Sequence, residues 1–322
     1  MTKHLSSSSS FRTSTTPLCA VHPQQQRHDN INDENVENTD TKELLSVAPM
    51  MGHTNRHYRY YYRLLSKRTY LYTEMMPTSK SLPYEVLTLH QLLATSCIQE
   101  SPVVLQLGGN DPTTLGQSHQ RQSQSQHSQS HYIAINLNCG CPSNAVGGRA
   151  GGCALMTTPE LVLECQSSQS ILSKPPPPPT ITVKHRLGIR DALSYNATFD
   201  RLQNDDEAFN DVSSFIRIVS SNDSVSTFHV HARLGILEKA RRRSRRSTIK
   251  NRDVPPLRPN VIYKLTTEFP HLDFVSNGGI TNMREVVKEV TGNGDGSVMG
   301  AMVGRTIINH PCSFAAADRL LW

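Results

Sequence analysis

Eight short apolar runs, each closed by a polar or glycine-bearing turn, set the strongest limit on what this chain can fold into. They occupy residues 44–48, 69–75, 102–107, 133–137, 180–184, 226–230, 272–276 and 297–303. Each has the length of a strand, and most are followed by a stretch with helical spacing. Thr54 is placed to cap a helix running to about residue 66, with Tyr58, Tyr61, Tyr62 and Leu65 on one face. Residues 85–93 read as a second helix. Residues 159–172 read as another, with proline in its first turn, where proline is tolerated. Further helices are expected over 260–269, from Thr281 or Asn282 to about 290, and from about 313. Strands alternating with helices build a parallel sheet, and eight of them point to α/β architecture closed as a (β/α)8 TIM barrel. The rival is an open doubly wound sheet. It needs a phosphate loop after the first strand, and Ala48-Pro49-Met50-Met51-Gly52 supplies neither GxGxxG nor GK[ST].

Several stretches do not fit that alternation. Residues 117–131 are Gln, Ser and His with one Arg and no aliphatic residue, a low-complexity insertion with no apolar face to bury. Residues 205–222 are polar and read as replacing a helix that should pack on the barrel. Residues 175–179 are five prolines, a stiff spacer. Residues 1–28 contain no Asp or Glu and are rich in Ser, as organelle transit peptides are; a plain disordered tail has the same composition. Residues 29–41 are polar and acidic, like a linker. The expected division is therefore a tail over 1–43 and one barrel domain over 44–322. The low hydrophobic fraction, 36%, agrees with part of the chain lying outside a packed core.

Charge and cysteine usage narrow the setting. A formal charge of +6 suits an anionic partner such as nucleic acid, and equally suits ordinary solubilising charge. Seven scattered cysteines without a CxxC pair argue for a reducing compartment and against a structural zinc or other metal site. No run approaches the roughly 20 apolar residues of a membrane span, so no membrane partner is expected.

Polar residues gather where the strands end: Met50 and Met51, Gln106, Asn138 and Cys141, Lys184, His231, Asn277-Gly278-Gly279, and Gly304-Arg305. In a barrel of parallel strands these ends share one mouth. Glycine turns after the seventh and eighth strands leave backbone N–H groups bare for a phosphate, and Arg305 adds a guanidinium. Taken singly, each glycine pair is just as well a tight turn, and a lone Lys or His at a strand end is often only solvated. Their common register is what favours a site.

Those same stretches, with LQLGGNDP at 105–112, INLNCGCPS at 135–143 and NGGI at 277–280, resemble the tRNA-dihydrouridine synthases. The similarity is strongest to the bacterial-type group acting in the D-loop around positions 20 and 20a, and it spans most of residues 46–320. The resemblance implies an FMN enzyme reduced by NADPH, which passes hydride to C6 of a uracil in tRNA while an acid protonates C5. By this match Cys141 is the acid; an ordinary thiol is protonated at neutral pH and can donate. Pro49, Met50 and Met51 would contact the flavin, and Gln106 would bond its ring edge. Lys184 would sit by N1 and O2, with His231 beside the ring. Asn277, Gly278, Gly279, Gly304 and Arg305 would hold the phosphate side. Asn138 would touch the target uridine and Arg252 the RNA. Cys139 has no counterpart in the family, and Cys153 is expected to be structural. The target base must be flipped into the barrel mouth, which calls for a positive rim. Residues 239–258 carry nine Lys or Arg against one acid, Asp253.

The pattern departs from the family in three places. The chain stops at Trp322, before the helical domain that family members carry, so that domain is expected to be missing. The loop over 147–152 lacks the usual Phe-Gly pair. Residues 117–131 and 205–222 replace expected helices. Two other readings follow from these departures: a non-catalytic RNA-binding remnant, and a flavin barrel oxidoreductase acting on a free pyrimidine. The implied partner is tRNA, the expected state a monomer. The compartment is left open between the cytoplasm and, if residues 1–28 are a transit peptide, an organelle.

Overall fold

The computed structural model describes residues 42–78, 100–115, 132–142, 151–170, 180–192, 194–202, 205–237, 254–292 and 297–322. Eight parallel strands alternate with helices: β1 (Leu45–Val47), β2 (Tyr70–Tyr72), β3 (Val103–Gly108), β4 (Tyr132–Cys139), β5 (Thr180–Arg186), β6 (Val225–His231), β7 (Asp273–Asn277) and β8 (Gly300–Val303). β1 pairs with both β2 and β8, and β2 pairs with β3, so the sheet closes on itself. This is the expected (β/α)8 barrel, and every expected strand is present. The second strand is shorter than the expected 69–75, ending at Tyr72, and beyond that run Met76–Pro77 forms a separate short strand along β3.

Period-two alternation divides each strand between two environments. Outward residues such as Leu105, Leu107, Ile135, Leu137, Val183 and Phe228 pack under the helices α2 (Pro159–Ser170), α3 (Asp206–Val219) and α4 (Pro259–Glu268). Leu45, Val47, Leu71 and Val303 do the same with Tyr62 of α1 (Arg56–Leu65) and Met283 and Val286 of α5 (Met283–Thr291). Inward, Ala48, Tyr72, Val104, Ala134, Val275 and Met302 fill the barrel axis. Toward the strand C-termini the inward set turns polar, and this change of composition builds the site.

Four expectations are corrected here. Residues 205–222 do not lack a helix: α3 buries Ala208, Val212, Phe215, Ile216 and Val219, a 3.6-residue stripe hidden among Asp, Asn and Ser. The cap of α1 is Asn55, whose side chain accepts from His57 N and Tyr58 N, while Thr54 bonds back to Met50. Tyr61 is 43% exposed because Arg59 and Arg63 take the inner face of α1. The Arg63 guanidinium there donates to the carbonyls of Ser66, Thr69, Glu100 and Pro102. The last helix begins at Ala317, after a 3₁₀ turn over Pro311–Phe314. One addition was not expected: Ile189–Asp191 and Gly235–Leu237, just beyond β5 and β6, pair as a small parallel sheet. The expected helix at 85–93, the insertion at 117–131, the prolines at 175–179, most of the tail over 1–43, and Arg252 lie outside the described residues.

Candidate active site

A chain of buried amides crosses the barrel just below its mouth. Gln106 Nε2 donates to Asn136 Oδ1 at 2.8 Å, and Asn136 Nδ2 donates to Thr182 Oγ1 at 2.8 Å. Asn138 Nδ2 donates to Gln106 Oε1 at 3.1 Å, and the Gln106 backbone N–H is held by Thr73 Oγ1. Each member sits on the inward parity of its strand, and each bond fixes a rotamer of the next.

The chain of amides ends on Cys141. Asn138 Oδ1 accepts the backbone N–H groups of Gly140 and Cys141, both at 3.0 Å, which bends β4 into its turn. Arg186, at the end of β5, donates from Nε to the Gly140 carbonyl at 2.7 Å. Its other arm reaches Leu234 O at 3.0 Å. Cys153 N–H takes the Cys141 carbonyl at 2.8 Å. Gly152, at φ +60°, lies so close that a Cβ there would stand 2.4 Å from the Cys141 carbonyl oxygen. The Cys141 side chain is half-exposed, whereas Cys139, Cys153 and Cys165 are buried. Burial raises all three of those thiols, Cys153 to about 11 and Cys165 to about 12.

Beside this turn a cavity of about 450 Å³ opens between the ends of β1, β5, β6, β7 and β8. Among the described residues its cations are Lys184, Arg233 and Arg305, and none of the described lining residues is a carboxylate. Lys184 Nζ donates to Asn277 Oδ1 at 3.0 Å, and Asn277 Nδ2 donates to Met302 O. Desolvation and the nearby Arg186 push the Lys184 ammonium down to about 7, partly opposed by Cys141. His231 is held well below its ordinary range, first by desolvation and then by Lys184, Arg186, Arg233 and Arg305. It is therefore a neutral imidazole among cations. Gly278 and Gly279, at φ +127° and +81°, carry the turn that closes the cavity; a Cβ at Gly278 would stand 2.8 Å from Leu257 and 3.2 Å from the His231 ring. The site is an electropositive pocket with bare backbone at one end and a thiol turn at the other.

The family model for dihydrouridine synthases matches residues 46–322. This chain belongs to the dihydrouridine synthase family. It is 38% identical over 275 residues to the tRNA-dihydrouridine(20/20a) synthase of Synechocystis sp., covering 85% of this chain and 71% of that protein. Identity to the Escherichia coli K12 protein of the same name is 37% over 275 residues, covering 85% and 68%. For Pseudomonas putida it is 35% over 278 residues, covering 86% and 71%. A crystal structure of TcOYE with pHBA overlays at a TM-score of 0.46 with 8% identity, over 86% of this chain and 88% of that one.

Of the residues singled out in the sequence of this dihydrouridine synthase family member, Pro49, Met50, Lys184, His231, Asn277, Gly278, Gly279, Gly304 and Arg305 line the one cavity. Met51 does not; it is 62% exposed on the adjoining turn. Gln106 lies beneath, inside the amide chain, and Asn138 joins it to Cys141. Arg233, Thr281 and Thr306 also line the cavity and were not anticipated, nor was Arg186. A signal for the two arginines exists in the sequence. Arg186 and Arg233 stand two residues past Lys184 and His231, on the same parity of β5 and just beyond β6.

Proposed function

We propose that this protein is an FMN-dependent tRNA-dihydrouridine synthase, reducing a D-loop uridine around positions 20/20a to 5,6-dihydrouridine with NADPH as reductant. The observation that carries the reading is the shared mouth: a half-exposed thiol in a four-point clamp stands beside a cation-lined cavity ringed by the residues the family resemblance assigns to the cofactor.

The residues fit FMN. The cavity volume lies within the roughly 300–1,000 Å³ of small-molecule sites. Arg305 and Arg233, with the bare backbone of Gly278 and Gly279, suit a phosphate. Lys184 supplies a positive charge where an electron-rich ring needs one. When bound, FMN supplies the hydride for one carbon of the uracil double bond. Cys141 gives its proton to the other carbon. Asn138 holds that thiol in place and keeps one amide N–H for a uracil carbonyl. The uracil must leave its stack to reach this mouth, so tRNA binding rests on phosphate contacts around the rim. Arg252 is assigned such a contact.

Cys141→Ala tests the reading. The purified variant retains flavin absorbance and loses dihydrouridine formation by roughly 10²-fold or more. Equal dihydrouridine formation with alanine at 141 would refute the acid assignment. Turnover of free uracil in place of tRNA would move the enzyme to a different substrate class.

A further inference from the structure

Cys141 is not alone in its turn. Its carbonyl is bound by the N–H of Cys153 at 2.8 Å, so the two backbones touch at this point. A disulfide spans about 4.4–6.8 Å between Cα atoms. Gly152, next in sequence to Cys153, carries no side chain, and its would-be Cβ lies 3.5 Å from the Cys141 Cβ. The Cys153 sulfur and the Arg186 side chain both flank Gly235, at 3.4 Å and 3.1 Å from its would-be Cβ. The Arg186 guanidinium feels both thiols, and the two thiols feel each other.

From this juxtaposition we infer that Cys141 and Cys153 are a peroxide-reactive pair, in which Cys153 captures oxidised Cys141 as a reversible disulfide. The division of labour follows from exposure. Cys141 is half-exposed and meets the oxidant first; Cys153 is buried and only receives what Cys141 passes on. The Cys141 sulfur attacks one oxygen of hydrogen peroxide. An S–O bond forms, the O–O bond breaks, and the departing hydroxide leaves as water with the thiol proton. The Cys153 sulfur then attacks the Cys141 sulfur. The S–S bond forms, the S–O bond breaks, and the hydroxyl departs as a second water with the Cys153 proton. Two thiols give up two electrons and one peroxide becomes two waters. A small dithiol reverses the change by exchange. While it lasts, the sulfur at 141 carries no proton to donate, so the proposed chemistry stops. Without a resolving thiol, Cys141 would go on to the sulfinic acid and be lost.

The consequence for activity rests on the proposed function; the bond itself does not. The experiment is peptide mapping of the purified holoprotein after hydrogen peroxide and thiol alkylation. Trypsin cleaves after Arg149, so residue 141 and residue 153 fall on separate peptides that a disulfide joins. Cys139 and Cys165 fall on those same two peptides, and both are buried nearby, so variants assign the bond. The joined peptide is expected in the wild type, in Cys139→Ser and in Cys165→Ser, and is expected to vanish in Cys153→Ser. Dihydrouridine formation, each protein scaled to its own untreated rate, falls about 10²-fold with peroxide. It returns with dithiothreitol in the wild type and does not return in Cys153→Ser. Absence of the joined peptide from oxidised wild-type protein, a mapping that needs no variant, overturns the inference. So does its persistence in Cys153→Ser. A joined peptide without loss of activity retains the bond and overturns the acid role of Cys141 instead.

Discussion

Asn138 Oδ1 accepts the backbone N–H of Cys141 at 3.0 Å. The same oxygen accepts Gly140 N–H, and the Asn138 amide donates to Gln106. Both acceptor positions of the side chain are thus spent on the turn that presents the thiol. The residue acts on chemistry first by holding Cys141, and only its remaining N–H is available to a substrate.

Asn138→Ala therefore lowers kcat more than it raises KM. Displacing a reacting group by about 1 Å costs on the order of 10²-fold, and a drop of about 10–100-fold in kcat is expected. Flavin absorbance stays, because the cavity lining does not include residue 138. Asn138→Asp keeps an acceptor for the two N–H groups and recovers part of kcat. Equal losses in both variants would mean the turn does not depend on this oxygen.

Arg233 and Arg305 line the cavity together, and Arg233 is lowered by desolvation and then by Arg305. An anion between them relieves that repulsion. Arg305→Ala is expected to weaken FMN binding about tenfold and to flatten its salt dependence. Arg217→Ala serves as control, since Arg217 is exposed and paired with Glu268 at 2.9 Å, away from the cavity. Flavin fluorescence titration at two ionic strengths separates the cases.

The parts of this site that can be read from sequence are those written in strand period. Gln106, Lys184, His231 and Asn277 end apolar alternations, so their convergence follows once a closed barrel is accepted. Gly278 and Gly279 announce the turn. What escaped has a physical reason in each case. Arg233 lies past the end of β6, so only a two-residue step carried beyond His231 and out of the strand points to it. Gln106 is marked in the sequence as polar at a strand end, but its bonds to Asn136 and Asn138 on the neighbouring strand are not. The stripe of α3 is diluted by polar residues on the remaining faces. Glu43 falls in the expected tail over 1–43, and nothing local marks it as buried.

Lys184 makes ligand binding and stability depend on pH in a direction that can be worked out. Its folded pKa lies near 7, below the 10.5 of a free lysine. Between those values the unfolded chain holds a proton that the folded protein has released. Stability of the flavin-free protein therefore gains from this residue as pH rises through that window, and the cost of the buried ammonium is felt in full below pH 7. An anionic ligand restores the proton, so FMN binding takes up protons above pH 7. Urea midpoints at pH 7 and 9 should rise less, or fall more, in Lys184→Met than in wild type. Calorimetry in buffers of unlike ionisation enthalpy should register the uptake, and Lys184→Met should abolish it.

At the opposite, N-terminal end of the barrel, Glu43 reaches inward to two strands. Its carboxylate accepts from Tyr72 OH at 3.0 and 3.1 Å and lies 3.0 Å from His229 Nε2, which is itself 2.7 Å from the Tyr72 oxygen. All three side chains are buried. The contact ties the segment before β1 to β2 and β6. Glu43→Ala removes the bonds from both residues but leaves Tyr72 Oη and His229 Nε2 bonded to each other, at a cost of about 1–3 kcal/mol. Tyr72→Phe removes one of the same bonds, so the double variant is expected to cost less than the sum of the two single ones. A chain begun at Leu44 loses the same carboxylate and should match Glu43→Ala in its urea midpoint, placing the start of the folded domain one residue before the expected boundary. An unchanged midpoint in either protein would show that the barrel closes without this anchor.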